Sequence, residues 1–206
     1  MNIEIKKSIK PIKYNFALNY MEKRLEQIAQ GKKKELIWLL EHEKVYTAGT
    51  NFKNEEILDK SIKIFKTNRG GKITHHGPGQ LVFYIVLNLN ERGKNIKKLI
   101  TSIEKTIIST LEEYKIKTFS DRKDIGIWYR NKNEIKKVAA IGIKVKKWIA
   151  YHGFSINISN DLVAYNKIIP CGIKNKKVTN LKNIKNISYN NIYKKLISNF
   201  LSNIES

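Results

Sequence analysis

Apolar residues recur along this chain with two different periods. Tyr14, Leu18, Met21, Leu25 and Ile28 fall three or four residues apart, which predicts a helix that Gly31 can end. Ile96, Leu99, Ile100, Ile103, Ile107, Leu111 and Tyr114 make a second such stripe, and Ile192, Leu196, Phe200 and Ile204 a third. Elsewhere the apolar residues alternate or run together, as in strands. Ile3 to Ile5, "ELIWLL" (35–40), "VYTAG" (45–49), "IKIF" (62–65) and "LVFYIVLNL" (81–89) read this way. So do "DIGIWYR" (124–130), "VAAIGIKV" (138–145), "WIAY" (148–151) and "GFSINI" (153–158), with "RNKN" (130–133) and "KVKK" (144–147) as hairpin connections. "NEEIL" (54–58) predicts a short helix with Asn54 as its cap. Strands come in runs with helices between the runs, and no repeat or linker interrupts them. The expected fold is α+β, one domain over residues 1–206 with mixed sheets and flanking helices.

Composition narrows this only in part. Hydrophobic residues make up 41% of the chain and aromatics 10%, which excludes a disordered polymer. No apolar run approaches the ~20 residues of a membrane span. The start, "MNIEIKKSIKPIKY", lacks an apolar signal core, so the cytoplasm is the expected compartment. One cysteine, Cys171, cannot form a disulfide within the chain. The net charge of +22 would suit a nucleic-acid binder, but that class expects clustered Arg and Lys with a reading element. Here the lysines are scattered and only five arginines occur. Two readings of the charge stand side by side: a drift toward Lys, Asn and Ile, and steering of acidic partners.

Candidate chemistry gathers in "RGGKITHHGPGQ" (69–80), which holds four of the eleven glycines. "GPGQ" suits a type II turn, with Pro78 presetting φ and Gly79 taking the positive φ that follows. Neither the dinucleotide fingerprint nor the Walker pattern is present. His75 and His76 are adjacent and would face opposite sides of a strand, so no metal site is expected and one imidazole should line a pocket. Cys171 lies between Pro170 and Gly172 at a predicted sharp turn. On residues alone it reads either as an inert core thiol or as a nucleophile. Lys137 begins an apolar strand whose Ala139, Ala140 and Gly142 leave room beside it.

Taken together, "RGGKITHHGPGQLVFY", "KKVAAIGIKV", "AYHGFSINI" and "IIPCGIKNKKVTNL" resemble the lipoyl(octanoyl) transferases in order and spacing. Weaker similarity in "VYTAGTNFKNEEIL" and "DIGIW" extends the likeness over most of residues 40–182. One departure is visible: the family usually has Tyr-His where this chain has His75-His76. The resemblance implies a catalytic domain of the biotin and lipoate protein ligase type, acting as a monomer without a cofactor. It implies transfer of an octanoyl group from acyl carrier protein to a lysine of lipoyl domains in 2-oxoacid dehydrogenase complexes, and to glycine cleavage H protein. Cys171 would carry the acyl group as a thioester and Lys137 would be its partner. Arg69, Gly70, Gly71, Lys72, Ile73, Thr74, His75, His76, Ala140, Ile141, Gly142, Gly153, Phe154 and Ser155 would contact substrate. A free thiol is only about 3% thiolate at pH 7, so a nearby ammonium would matter. The rivals are an ATP-dependent lipoate or biotin protein ligase, which needs no cysteine nucleophile, and the basic nucleic-acid-binding module.

Overall fold

The computed structural model describes residues 2–132, 134–170 and 177–205. In chain order the elements are β1 (Ile3–Lys7), α1 (Tyr14–Ala29), β2 (Glu35–Leu40), β3 (Val45–Ala48), β4 (Ile64–Lys66), β5 (Ile73–His76) and β6 (Gln80–Asn88). There follow α2 (Ile96–Glu112), β7 (Thr118–Ser120), β8 (Ile127–Asn131), β9 (Glu134–Lys146), β10 (Ile149–Asn157), β11 (Lys177–Val178), α3 (Leu181–Ile184) and α4 (Ile192–Glu205). The large sheet runs β1-β2-β6-β10-β9-β8-β7, with β11 also paired to β9, and β4-β3-β5 form a small second sheet. Parallel β1–β2 and β9–β11 pairs sit among antiparallel ones, so the sheet is mixed.

Cross-strand register assigns the two faces of the large sheet. Phe83, Ile85 and Leu87 of β6 share one face with Ile37 and Leu39 of β2 and Phe154 and Ile156 of β10. That face packs on Leu99, Ile103, Ile107 and Leu111 of α2 and on Ile192, Leu196, Phe200 and Ile204 of α4. Each fully buried side chain of this size contributes about 1.5–3 kcal/mol. Helix α2 is started by Asn95, whose Oδ1 accepts from the Lys98 amide at 2.9 Å. On the opposite face, Val82, Tyr84 and Val86 join Leu36, Trp38, Leu40 and Tyr151 against Ala17, Met21 and Leu25 of α1.

The three long helices stand where the apolar stripes put them. Three local readings differ. "WIAY" and "GFSINI" form one strand, β10, which runs through His152 without a break. Residues 54–56 make a 3-10 turn that Lys53 precedes without a side-chain cap, so Asn54 is not a cap. Ile57, just beyond, bridges to Ile168, and that pairing holds the segment extended. Residues 73–76 of the glycine-rich stretch form the strand expected for the two histidines, with β3 paired along their length. The β9–β10 hairpin turns at Lys147 and Trp148, both left-handed (φ 53 and 57), one step later than "KVKK" predicts. Gly79 has the positive φ, 82°, that its turn requires.

Candidate active site

A cleft of about 790 Å³ opens where α1 stops covering the sheet. Its floor is Val82 and Tyr84 of β6, Ala140 and Gly142 of β9, and Gly153 and Ser155 of β10. Arg69 to Thr74 and His76 form one wall, and Lys137 lies at the inner end. Ile96, Ile100, Ile125, Ile141 and Ile143 line it as well and give it an apolar part. A smaller groove, about 340 Å³, lies between the start of α2 and the end of α4 and holds none of these residues.

Two breaks in strand alternation furnish this cleft. The β8–β9 register steps from Ile127↔Ala139 to Trp128↔Lys137, so Val138 is an extra residue, a β-bulge. Val138 and Ala139 therefore both enter the core against α2 and α4. Lys137 joins Ala140 at the cleft, whereas strict alternation would send it into that core. The second break is His152, whose φ is +70. As the second residue after Ala150 it should face the apolar core, yet its ring stacks on Tyr151 at 4.8 Å and meets Tyr84 edge-on. A left-handed residue of this kind costs about 1–2 kcal/mol. Its Nε2–H donates to Asn68 Oδ1 at 2.9 Å, and Asn68 Nδ2 donates to Glu22 at 2.8 Å. Thus the strained histidine holds the residue just before Arg69.

Lys137 is 6% exposed, unusual for a lysine. Its Nζ donates to the Ile125 carbonyl at 3.1 Å and lies 4.7 Å from the centre of the Trp128 ring. Among the described residues no carboxylate pairs with it. Gly126, at φ +143, makes room: a Cβ there would come within 2.9 Å of Lys137 Cε and of the Ala139 carbonyl. A narrow recess beyond Lys137 is lined by Thr74, Ser155, Asn157, Tyr165, Pro170 and Val178. Val178 pairs with Lys137 in parallel, and the Thr179 amide donates to the Lys137 carbonyl at 2.9 Å. Pro170 and Lys177 flank the stretch that carries Cys171. Cys171 itself lies outside the described residues.

The glycine-rich wall is organised by Arg69, which is nearly buried. Its Nη2 donates to the Thr47 carbonyl and hydroxyl at 2.9 and 2.8 Å and to the Lys72 carbonyl at 2.9 Å, while Nη1 reaches the Gly70 carbonyl. The guanidinium is committed to the loop itself. Gly142 permits this packing, because a Cβ on it would lie 3.1 Å from the Gly70 carbonyl and 3.3 Å from Arg69 Cδ. The loop thus lies close over Gly142 and narrows the cleft there. Glu56, buried in the turn before β4, pairs with Lys72 at 3.1 Å. Glu56, Asn68, Gln80, Asn157 and Tyr165 were not singled out by sequence. Gln80 and Asn157 had a signal, as amides at the ends of strongly apolar strands.

The two adjacent histidines do face opposite ways. His76 lines the cleft. His75 does not: its ring packs 4.8 Å from Tyr46 and 5.8 Å from Tyr165, in a small core under β5. A tyrosine would serve at this position too, since another ring would fill the same slot. The remaining positions carried over from the resemblance, Arg69 to Thr74, Ala140 to Gly142 and Gly153 to Ser155, all border the cleft. Burial lowers every histidine below its ordinary range: His42 and His75 to about 4, and His152 to about 3. His76 is held well below 6.5 by burial first, with His42 and Arg69 adding to it. All four imidazoles are therefore neutral near pH 7. Among the described residues no cluster of His, Cys, Asp and Glu could hold a metal ion, and no helix is long and apolar enough to cross a membrane.

Residues 13–201 match the family model of the lipoyl protein ligase A/B catalytic domain. The chain is 45% identical over 181 residues to an octanoyltransferase of Ehrlichia chaffeensis, covering 86% of this chain and 85% of that one. It is 44% identical over 176 residues to an octanoyltransferase of a Wolbachia from Brugia malayi, covering 84% and 85%. Its fold is similar to P. falciparum LipL1 in complex with lipoate, with a TM-score of 0.74 at 19% identity over 98% of this chain and 62% of that one. It is also similar to the bi-partite lipoate protein ligase of Thermoplasma acidophilum, with a TM-score of 0.73 at 14% identity over 100% and 84%. At such identities the structures speak for the fold alone, while the curated relatives speak for the reaction class. The chain belongs to the lipoyl(octanoyl) transferases, acyltransferases built on the lipoyl protein ligase A/B catalytic domain.

Proposed function

We propose that this chain moves an octanoyl group from octanoyl-acyl carrier protein onto Cys171 and then onto a lysine of a lipoyl domain. The observation that carries the reading is the position of Lys137. A buried lysine sits at the inner end of the cleft, beside the two chain segments, Pro170 and Val178, between which Cys171 falls in sequence. An ammonium there would favour the thiolate over a thiol whose ordinary pKa is about 8.5. Attack of the Cys171 thiolate on the donor thioester forms one C–S bond and breaks another, and the Lys137 ammonium protonates the departing sulfur, so the carrier leaves as a thiol and Lys137 is left neutral for the second step. In the second step the acceptor amine forms the amide C–N bond, the Cys171 C–S bond breaks, and the amine proton passes through Lys137 to sulfur. One thioester is exchanged for another of similar energy, so the first step needs no ATP.

Backbone amides of the glycine-rich wall supply donors for the carbonyl oxygen as charge develops; one such donor is typically worth about 2.7–4 kcal/mol. The apolar part, with Ile96, Ile100 and Ile125, suits the acyl chain. At about 0.8 kcal/mol per buried methylene it discriminates chain length modestly. The acceptors are lipoyl domains of 2-oxoacid dehydrogenase complexes and glycine cleavage H protein, and the basic surface attracts acidic carriers of either kind.

Intact mass spectrometry after mixing with octanoyl-acyl carrier protein, without ATP, tests the scheme. One octanoyl adduct is expected, absent in Cys171→Ser and discharged by a lipoyl domain. Lys137→Met should slow adduct formation by about 10²–10⁴ with the fold kept. Undiminished transfer by Cys171→Ser, or a strict need for ATP, would sink the reading and favour a ligase.

A further inference from the structure

Behind His76 runs a chain of buried amides whose orientation is fixed at both ends by backbone carbonyls. Asn157 Nδ2 donates to the Thr179 carbonyl at 3.0 Å, which can only accept. The Asn157 Oδ1 must therefore face Gln80, whose Nε2 donates to it at 2.9 Å. The same Nε2 lies 3.3 Å from the His75 carbonyl, again an obligate acceptor, and 3.0 Å from the Tyr165 hydroxyl. The Gln80 Oε1 is thereby turned to His76, 2.6 Å from Nδ1. An amide oxygen has no proton to give, so Nδ1 carries the hydrogen and Nε2 keeps its lone pair. Nε2 makes no hydrogen bond among the described residues, and His76 lines the cleft.

We propose that Gln80 and Asn157 are positioning residues: they lock His76 as its Nδ1–H tautomer, so that Nε2 accepts an N–H of the lysine amine that attacks the acyl thioester. The inference rests on the two-step reading above. Its chemical ground is the sign of the other groups in the cleft. Arg69, Lys72, Lys123, Lys137 and Lys144 are donors, and Asp124 is the one carboxylate among the cleft's charged residues. Donors suit the thioester carbonyl and the departing sulfur, both acceptors. The attacking amine is the reactant that brings N–H groups of its own. It must aim its lone pair at the carbonyl carbon while those hydrogens are held elsewhere. An imidazole held neutral accepts such a bond without removing the proton, which still leaves through Lys137 for sulfur. The same network reaches Lys137 itself, because the Thr179 amide bonds the Lys137 carbonyl. Acceptor and proton carrier are thus braced by one set of bonds.

The tautomer is read directly by ¹⁵N NMR of histidine-labelled protein. A pyrrole-type Nδ1 and a pyridine-type Nε2 are expected for His76, and the reverse assignment would overturn the proposal without any substrate present. Single-turnover rates then separate the two steps. In Gln80→Leu the ratio of amine transfer to acyl loading should fall about tenfold or more, as misplacement of a reacting group does. Equal slowing of both steps would refute the role. If Gln80→Leu does not fold, His76→Phe and His76→Gln replace it. Phe, which keeps the stack on Tyr14, should lower the ratio, and Gln, whose amide oxygen reaches the Nε2 position, should recover part of it. Equal ratios in the two would count against an acceptor at Nε2. Failure of the unaltered chain to form any adduct would instead overturn the two-step reading, and with it the use of this acceptor.

Discussion

The two faces of the large sheet are built from the same strands by opposite rules. Toward α2 and α4 the strands present almost entirely apolar side chains, and the packing includes Phe83 stacked on Phe154 and meeting Phe200 edge-on. Toward the cleft alternation is broken twice, by the bulge at Val138 and by the left-handed His152. The cleft face carries a buried lysine, a buried arginine, and histidines held neutral. One face accumulates stability and the other gives some of it up to hold polar groups in place. This is the pattern expected when a reaction site is grafted onto a packed scaffold.

The contrast can be broken or sharpened by substitution. The largest stability effect belongs to the regular face. Phe200→Ala should cost about 3–5 kcal/mol in a urea titration while octanoyl transfer by the folded fraction stays normal. A loss of activity without a loss of stability would dissolve the distinction between the faces.

Acid should expose the opposite weakness. Each histidine has a folded pKa below its unfolded value of about 6.5, so the unfolded chain binds more protons. The full stability is present above about pH 6.5 and declines as pH falls toward the folded values near 4 and 3. The decline is about 1.4 kcal/mol per pH unit for each imidazole, enough for several kcal/mol together at pH 5. His75→Tyr fills the same slot between Tyr46 and Tyr165 and removes one titrating ring. The pH dependence of the unfolding free energy should become shallower by about one proton. An unchanged slope would show that His75 is not buried neutral.

The smallest stability effect is expected at Gly126→Ala, on the cleft side. An alanine at φ +143 costs about 1–3 kcal/mol, and its methyl meets both Lys137 and the Ala139 carbonyl. Adduct formation should drop about tenfold or more, a larger loss than the change in melting temperature suggests. Normal adduct formation would mean that the position of Lys137 is not what the cleft depends on.

Much of the scaffold was legible because it repeats. The stripes from Ile96 to Leu111 and from Ile192 to Ile204 become α2 and α4 since a helix of period 3.6 has one face to bury. "ELIWLL" and "LVFYIVLNL" become central strands because both their faces are covered. The site was legible mainly through resemblance, which marked its segments without saying how they meet. His75 shows the limit: next to His76 in sequence, it belongs to another core. Gln80 and Asn157, 77 residues apart, acquire a role only when β6 and β10 pair and bring their amides to 2.9 Å.

The sequence by itself determined the periodic parts: three long helices, the longer strands of the large sheet, the turn at Gly79, and a strongly basic composition with one thiol. Local preference and burial suffice for those, because each is decided by neighbours a few residues away. The tertiary structure alone decided which side Lys137 and His152 face, because a bulge and a left-handed residue are set by the partner strand and the loop above it. It also decided that Arg69 organises its own loop and that Gln80 meets His76 at Nδ1, since both depend on hydrogen bonds to carbonyls brought close by the fold.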